Sequence, residues 1–228
     1  MLTVNRVYDL LLREYGPQHW WPGRTDFEVA IGAILTQSVS WKNVESAIRT
    51  LRGERLLHPR RLHALGAREL APLIRPTGYF NQKAKKLLNF LDWFRGYGYS
   101  FAKAAGADTA ILREELLAVN GIGPETADSI LLYAMGRKVF VVDAYTRRVF
   151  TRLGILLGSE SYDAIQRMFH ARFRGGVPEY NEYHALIVNH GKEVCRKRPL
   201  CGRCRLARAC PSRVSESDPA ASITRTAG

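Results

Sequence analysis

The stretch LLAVNGIGPETADSILLYAMGRKVFVVDAYTRR, Leu116 to Arg148, constrains the fold of this chain more than any other. Gly121 and Gly123 bracket Ile122 between two runs of helical periodicity, so the backbone must turn tightly there with no side chain over its amides. Pro124 suits the first position of the next helix, because its missing N–H would have had no partner. Ala127, Ile130, Leu131 and Ala134 then recur at helical spacing. Such a turn is either an ordinary corner between helices or a seat for a phosphate, which bare amides and a helix start both favour. Val139, Phe140, Val141 and Val142 form a short buried run ending at Asp143, and AYTRRVFTRLG predicts a helix with Tyr145, Val149 and Leu153 on one side. An Asp at a helix start is a cap; a carboxylate fixed there is also available for chemistry, and the two roles are compatible.

Helical patterns dominate the rest of the chain. Val4, Val7, Leu10 and Leu11 predict an N-terminal amphipathic helix; Phe27, Ala30, Ile31, Ile34 and Leu35 a second; Leu87, Leu88, Leu91 and Phe94 a third. Gly-Pro, Trp-Pro-Gly and Arg-Pro-Thr-Gly mark loops at residues 16–17, 21–23 and 75–78, and strand-like alternation is absent. The fold class is therefore all-α. Residues 212–228 are polar, carry no core-forming pattern and are expected to be disordered. With 34 Lys and Arg against 21 Asp and Glu, the net charge of +13 points to a polyanion as partner and to binding that weakens with salt. No long apolar span or lipidation signal favours a membrane instead.

All four cysteines fall in CRKRPLCGRCRLARAC, with the spacing C-x5-C-x2-C-x5-C. Cys195, Cys201, Cys204 and Cys210 have no disulfide partners elsewhere, which points to a reducing compartment. Four thiolates in one loop can bind an iron–sulfur cluster or tetrahedral zinc, and thiolate chemistry alone does not choose. Arg196, Lys197, Arg198, Arg203 and Arg205 lie inside the loop, where they can meet phosphates or solvent.

GIG followed by ETAD and then VVDAYTRR resembles the helix-hairpin-helix, Gly/Pro-rich-loop and Asp superfamily of DNA glycosylases, of which endonuclease III is the best-known member. GAILTQ, Gly32 to Gln37, resembles that family's early helix ending in a Gln; GYFNQKAKKL, Gly78 to Leu87, its basic helix start; and Cys195 to Cys210 its terminal iron–sulfur loop, with a first gap one residue shorter. The likeness covers about residues 5 to 211 in the family's order. It implies two helical lobes with DNA bound between them: a central barrel over residues 23–137, and a terminal lobe of residues 1–22 plus 138–211 carrying a [4Fe–4S] cluster. It also implies a monomer that binds double-stranded DNA containing a damaged base, located in the cytoplasm with the nucleoid.

A glycosylase must rotate its target nucleotide out of the stack and hold it. The resemblance assigns the backbone grip to Gly121, Ile122 and Gly123, with Lys83 on the same DNA face. Asp143 would stabilise positive charge developing on the sugar and orient or deprotonate water. Gln37 would fill the vacated stack, or is simply a polar helix end. Glu125 stands where bifunctional members carry a Lys, and Glu cannot form their imine, so a monofunctional enzyme is expected. As a structural residue it is a first-turn Glu favoured by the helix dipole.

Trp20-Trp21-Pro22, LTQ at 35–37, RPTGYFNQKAK at 75–85 and Glu-Thr-Ala-Asp at 125–128 resemble the family's 3-methyladenine DNA glycosylase branch, whose members often lack the cysteine cluster. That likeness implies that Trp20, Trp21 and Trp41 line a base pocket rather than serve only as packing anchors. Aromatic faces would favour a cationic alkylated adenine by about 1–2 kcal/mol. The expected activity is monofunctional excision of alkylated purines such as 3-methyladenine. The alternatives are a bifunctional glycosylase and lyase acting on oxidised pyrimidines, a mismatch uracil or thymine glycosylase, or a non-catalytic binder of damaged DNA. His184 and His190 face DNA or the cluster, or are satisfied structural histidines.

Overall fold

The computed structural model describes residues 2–21 and 23–214. From residue 215 onward, the tail expected to be disordered lies outside the described residues, as does Pro22. In chain order the helices are α1 (Val4–Tyr15), α2 (Asp26–Leu35), α3 (Trp41–Gly53), α4 (Pro59–His63), α5 (Ala67–Leu73), α6 (Phe80–Gly96), α7 (Phe101–Ala104), α8 (Thr109–Ala118), α9 (Pro124–Ser129), α10 (Ala144–Arg152), α11 (Tyr162–Arg172) and α12 (Val177–Glu193). No strand occurs among the described residues, as the all-α expectation requires. No helix among them is long and apolar enough to cross a membrane.

The chain divides into two units, one of residues 21–139 and one of residues 1–20 with 140–228. In the first unit α2 is the central rod: every residue from Phe27 to Leu35 is buried, so it lacks the solvent stripe of a surface helix. Thr25 caps α2 by accepting from the Glu28 amide at 3.1 Å. The buried Glu28 carboxylate turns to the Arg52 guanidinium at 2.6 Å, which satisfies a charge that burial alone would penalise heavily. Phe90 and Phe94 of α6 stack with ring centroids 5.7 Å apart and close the apolar centre from another side. The arms of the glycine turn, α8 and α9, are tied by Arg113 to Asp128, with Nε–Oδ1 at 2.8 Å and NH2–Oδ2 at 3.2 Å. Asp128 is 0% exposed, so this two-toothed pair fixes the hairpin from beneath. Beyond α9 the helix widens to π geometry over Ile130–Ala134.

The second unit has an aromatic core. Phe140 stacks on Phe169 with centroids 3.7 Å apart, and Tyr180 and Tyr183 meet Phe140 edge-on. The buried Tyr183 hydroxyl donates to the Val4 carbonyl at 2.6 Å and so fastens α12 to α1. The run Val139–Val142 is buried but joins no sheet. Its backbone finds side-chain partners on or near α11 instead: Phe140 N donates to His170 Nε2 at 3.1 Å, Val142 N to the Tyr162 hydroxyl at 3.3 Å, and Gln166 Nε2 to the Phe140 carbonyl at 2.8 Å. These bonds satisfy the polar groups that the apolar residues bring inside, and they deliver Asp143 to the start of α10.

Candidate active site and cysteine pocket

The hairpin is closed by the Ile122 amide donating to the Val119 carbonyl at 3.0 Å, and it buries the Ile122 side chain. Gly121 takes φ 95°, a region that L side chains avoid. Gly123 has an ordinary φ of −95°, and a Cβ there would meet nothing within 4 Å. Gly123 is exposed, so another molecule can approach the backbone there. Pro124 and Glu125 follow on the exposed surface.

Gln37, just past the end of α2, reaches this turn. Its Nε2 donates to the Gly121 carbonyl at 3.0 Å and to Thr126 Oγ1 at 2.9 Å, and its Oε1 accepts from Lys86 Nζ. The expectation that Lys83 meets DNA is corrected by its burial. It is 2% exposed, and its Nζ donates to the carbonyls of Leu35 at 2.9 Å and Thr77 at 2.6 Å, so it caps the end of α2 from inside. Burial, with the neighbouring Lys86 charge, lowers its pKa to about 8. Sequence reading missed Tyr79, which is 73% exposed and holds a left-handed backbone, φ 44° and ψ 32°, at the start of α6. Its signal was present: an aromatic directly after Gly78 and before a basic helix offers a bare stacking face.

Asp143 caps α10, with Oδ1 accepting from the Thr146 amide at 2.7 Å. Its Oδ2 lies 3.6 Å from His184 Nε2 on α12, and the two residues are 8% and 6% exposed. Burial works against the charge of Asp143, but His184 and the Thr146 amide outweigh it and hold the carboxyl below its ordinary value. The carboxylate is thus both a cap and a buried, oriented anion. The pairing of His184 with Asp143 could not be read from spacing, because the two stand 41 positions apart.

Trp21 packs edge-to-face on Trp41 with centroids 5.1 Å apart, and tilted on Tyr133 at 5.0 Å. Gly32 gives them room, since a Cβ there would stand 3.4 Å from Trp21 Nε1 and 3.6 Å from Trp41. Trp21 and Trp41 line a cavity of about 240 Å³ with Ile48, Glu28 and Arg52. Trp20 belongs to the other unit, where Lys192 Nζ lies 5.9 Å from its ring centroid and 6.0 Å from that of Tyr145.

Cys195, Cys201, Cys204 and Cys210 line one pocket, walled by Val149, Leu153 and Leu206. Among the described residues no group of three or more His, Cys, Asp or Glu side chains is placed to hold a metal ion. Several of the sulfurs are already addressed by donors: Arg152 to Cys195 Sγ at 3.4 Å, the Val214 amide to Cys201 Sγ at 3.5 Å, and His190 Nε2 near Cys204 Sγ at 3.7 Å. His190 Nδ1 faces the Tyr15 hydroxyl at 2.8 Å, and burial lowers the His190 pKa to about 4, so the imidazole is neutral. Arg152 also gathers the loop's backbone, donating to the carbonyls of Arg196 at 2.6 Å and Lys197 at 2.9 Å. Burial, joined by the neighbouring cysteines, pushes the Cys204 and Cys210 thiols up, so metal binding there must displace protons. Arg196, Lys197, Arg198, Arg203 and Arg205 are exposed, with Arg205 Nε paired to Glu14 at 2.6 Å.

This all-helical chain belongs to the HhH-GPD superfamily of base excision DNA repair proteins, whose family model matches residues 31–174. It is 48% identical over 212 residues to a Methanocaldococcus jannaschii protein named as a DNA repair glycosylase, covering 92% of this chain and 96% of that one. It is 30% identical to the endonuclease III of Sulfolobus acidocaldarius over 185 residues, 79% of each chain. These relationships define it as a DNA repair glycosylase of the endonuclease III-like family. Among solved structures, the H. pylori 3-methyladenine DNA glycosylase MagIII bound to 1,N6-ethenoadenine is similar, with TM-score 0.73 and 28% identity over 84% of this chain and 98% of that one. An endonuclease III–DNA complex has TM-score 0.77 at 22% identity, over 93% and 97% of the two chains, and shows the shared fold.

Proposed function

We propose that the chain is a monofunctional glycosylase that hydrolyses the glycosidic bond of a flipped, alkylated purine such as 3-methyladenine in duplex DNA, acting as a monomer. The observation that carries this reading is Glu125. It occupies the exposed position two residues beyond Gly123 where an attacking amine would be needed, and a carboxylate cannot form an imine. Similarity to MagIII supports the purine class. An alkylated purine nucleoside is cationic and leaves as a neutral base, so no strong acid or nucleophile is required. The work left to the protein is to grip the backbone at Gly121, Ile122 and Gly123, to stack the base on Trp21 or Trp41, and to stabilise the oxocarbenium-like sugar with Asp143. Water then adds to C1′, and its proton passes to Asp143 or to solvent. Tyr79 and Gln37 are the side chains suited to support the opened stack.

The donor set fits a [4Fe–4S] cluster on Cys195, Cys201, Cys204 and Cys210, because all four thiols line one pocket. When bound, the cluster would cross-link the loop and fix its basic side chains toward phosphate. Iron and acid-labile sulfide in equal amounts would support this; stoichiometric zinc would replace it.

The test of function is excision from duplexes carrying alkylated purines, oxidised pyrimidines, uracil or thymine mismatches, and abasic sites, each product divided between direct gel analysis and alkali. The expected result is release of alkylated purine, strand breaks only after alkali, and no complex trapped by borohydride. Direct cleavage with a trapped imine would overturn the reading and turn attention to Lys192, whose amine lies near Tyr145, two residues from Asp143.

A further inference from the structure

We propose that Lys86 is a phosphate-binding residue that couples the hairpin to Gln37, so that gripping the DNA backbone and releasing Gln37 are one event. This rests on the DNA-binding reading of the hairpin. Lys86 follows the buried Lys83 on α6 by three residues and is partly exposed. Its aliphatic stem lies across the turn: a Cβ at Gly121 would fall 2.3 Å from Lys86 Cγ and 2.8 Å from Cδ. The stem therefore occupies the space that Gly121 leaves open, and its ammonium stands at the hairpin on Gln37 Oε1.

The rest of the Gln37 amide is equally committed. Both Nε2 hydrogens have acceptors, the Gly121 carbonyl at 3.0 Å and Thr126 Oγ1 at 2.9 Å. The amide has one acceptable orientation, because a flip would set NH2 against an ammonium and an oxygen against a carbonyl. Gln37 is thus parked on the hairpin by three bonds, the charged one being to Lys86. A phosphate arriving at the turn offers that ammonium a full negative charge in place of a neutral amide oxygen, and a charged acceptor is the stronger one. The exchange leaves Gln37 Oε1 without its partner, which loosens the side chain when a stack beside it opens.

The experiment is a double-mutant cycle in the full chain, with Lys86→Met, which keeps the stem over Gly121 and removes the charge, and Gln37→Leu. Affinity for a duplex bearing an abasic-site analogue is measured by anisotropy across about 50 to 200 mM salt, and base extrusion by the fluorescence of a 2-aminopurine at the target position. Lys86→Met is expected to weaken binding about tenfold at the low-salt end and to reduce the slope of log affinity against log salt by about one, a change that loss of packing alone would not cause. The extrusion signal of the double variant is expected to depart from the product of the single effects by about threefold or more. An unchanged salt slope overturns the phosphate role, and multiplicative effects on extrusion overturn the coupling. Lys86→Arg, which restores a charge, should recover the slope, and it carries the comparison with Lys86→Gln if Lys86→Met melts early. A wild-type chain that binds with the expected slope but excises nothing refutes the glycosylase proposal and leaves this one standing. Normal excision with an unmoved slope refutes this one alone.

Discussion

The glycine hairpin and the Asp143 pocket are built in opposite ways. At the hairpin Gly123, Pro124 and Glu125 are exposed, and Gly123 leaves open space where a side chain would stand. At Asp143 one carboxylate oxygen meets the Thr146 amide, the other lies beside His184, and the group is 8% exposed. A surface that must meet DNA of any sequence is served by main-chain donors, which read phosphate without reading bases. A charge that must be ready at one point is served by buried partners that fix it before substrate arrives. The difference predicts a division of labour: changes at the hairpin should move affinity, and changes around Asp143 should move rate.

Asp143→Asn is the strongest attempt to break that division. Single-turnover base release should fall by about 10²–10³-fold, the scale of a lost transition-state electrostatic group, while duplex affinity holds. An equal loss in affinity would show that Asp143 serves binding. His184→Leu should lower the bound-state rate by about tenfold, a positioning effect smaller than loss of the carboxylate itself. It also has a pH signature. Asp143 is held below its ordinary value of 3.8, so the stability it contributes is present above that value and lost only as acid carries the pH below it. Without His184 burial is less opposed, the carboxyl rises, and the acid limbs of both stability and rate should move toward neutral; His184→Gln should move them less. Gly121→Ala sharpens the other side. The new Cβ demands φ 95° of an alanine and displaces the Lys86 stem, so affinity should drop by about tenfold while release from the bound complex keeps its rate.

The sequence was most readable where the chain's own spacing carries the physics. Apolar periodicity located α1 and α6 because each buries one face, and α2 because its apolar run is buried on every side; Gly121 located the turn because its backbone conformation is one that few other residues allow. The cysteines were readable as a group, since all four fall within one loop and line one pocket. What spacing could not supply were meetings between distant helices. His184 beside Asp143 and Arg113 under Asp128 follow from packing, and nothing local marks either pair. Lys83 shows the reverse error. A lysine in a basic helix reads as surface charge, yet the end of α2 presents a carbonyl that an amine from inside can cap, and Lys86 is the residue left facing the hairpin.

That contrast between two lysines gives the mildest functional prediction. Lys83→Met should leave the salt slope of DNA binding untouched, because the removed amine is buried on carbonyls and meets no phosphate. Its cost should appear in folding: two carbonyls lose their donor, which is worth about 1–3 kcal/mol when the acceptors cannot reach water. The pH profile distinguishes this from a simple packing loss. In the folded chain Lys83 gives up its proton near pH 8, whereas the unfolded chain holds it to about 10.5. Below pH 8 both states are protonated and the fold carries the full penalty of a buried charge; as pH rises toward 10.5 that penalty disappears. Wild-type stability should therefore gain a rising component across this window, which Lys83→Met removes and Lys86→Met, by withdrawing a neighbouring positive charge, shifts to higher pH. Denaturant melts at pH 7, 8.5 and 10 read the effect directly, and parallel pH profiles for wild type and Lys83→Met would show that the amine is not buried as a charge at all.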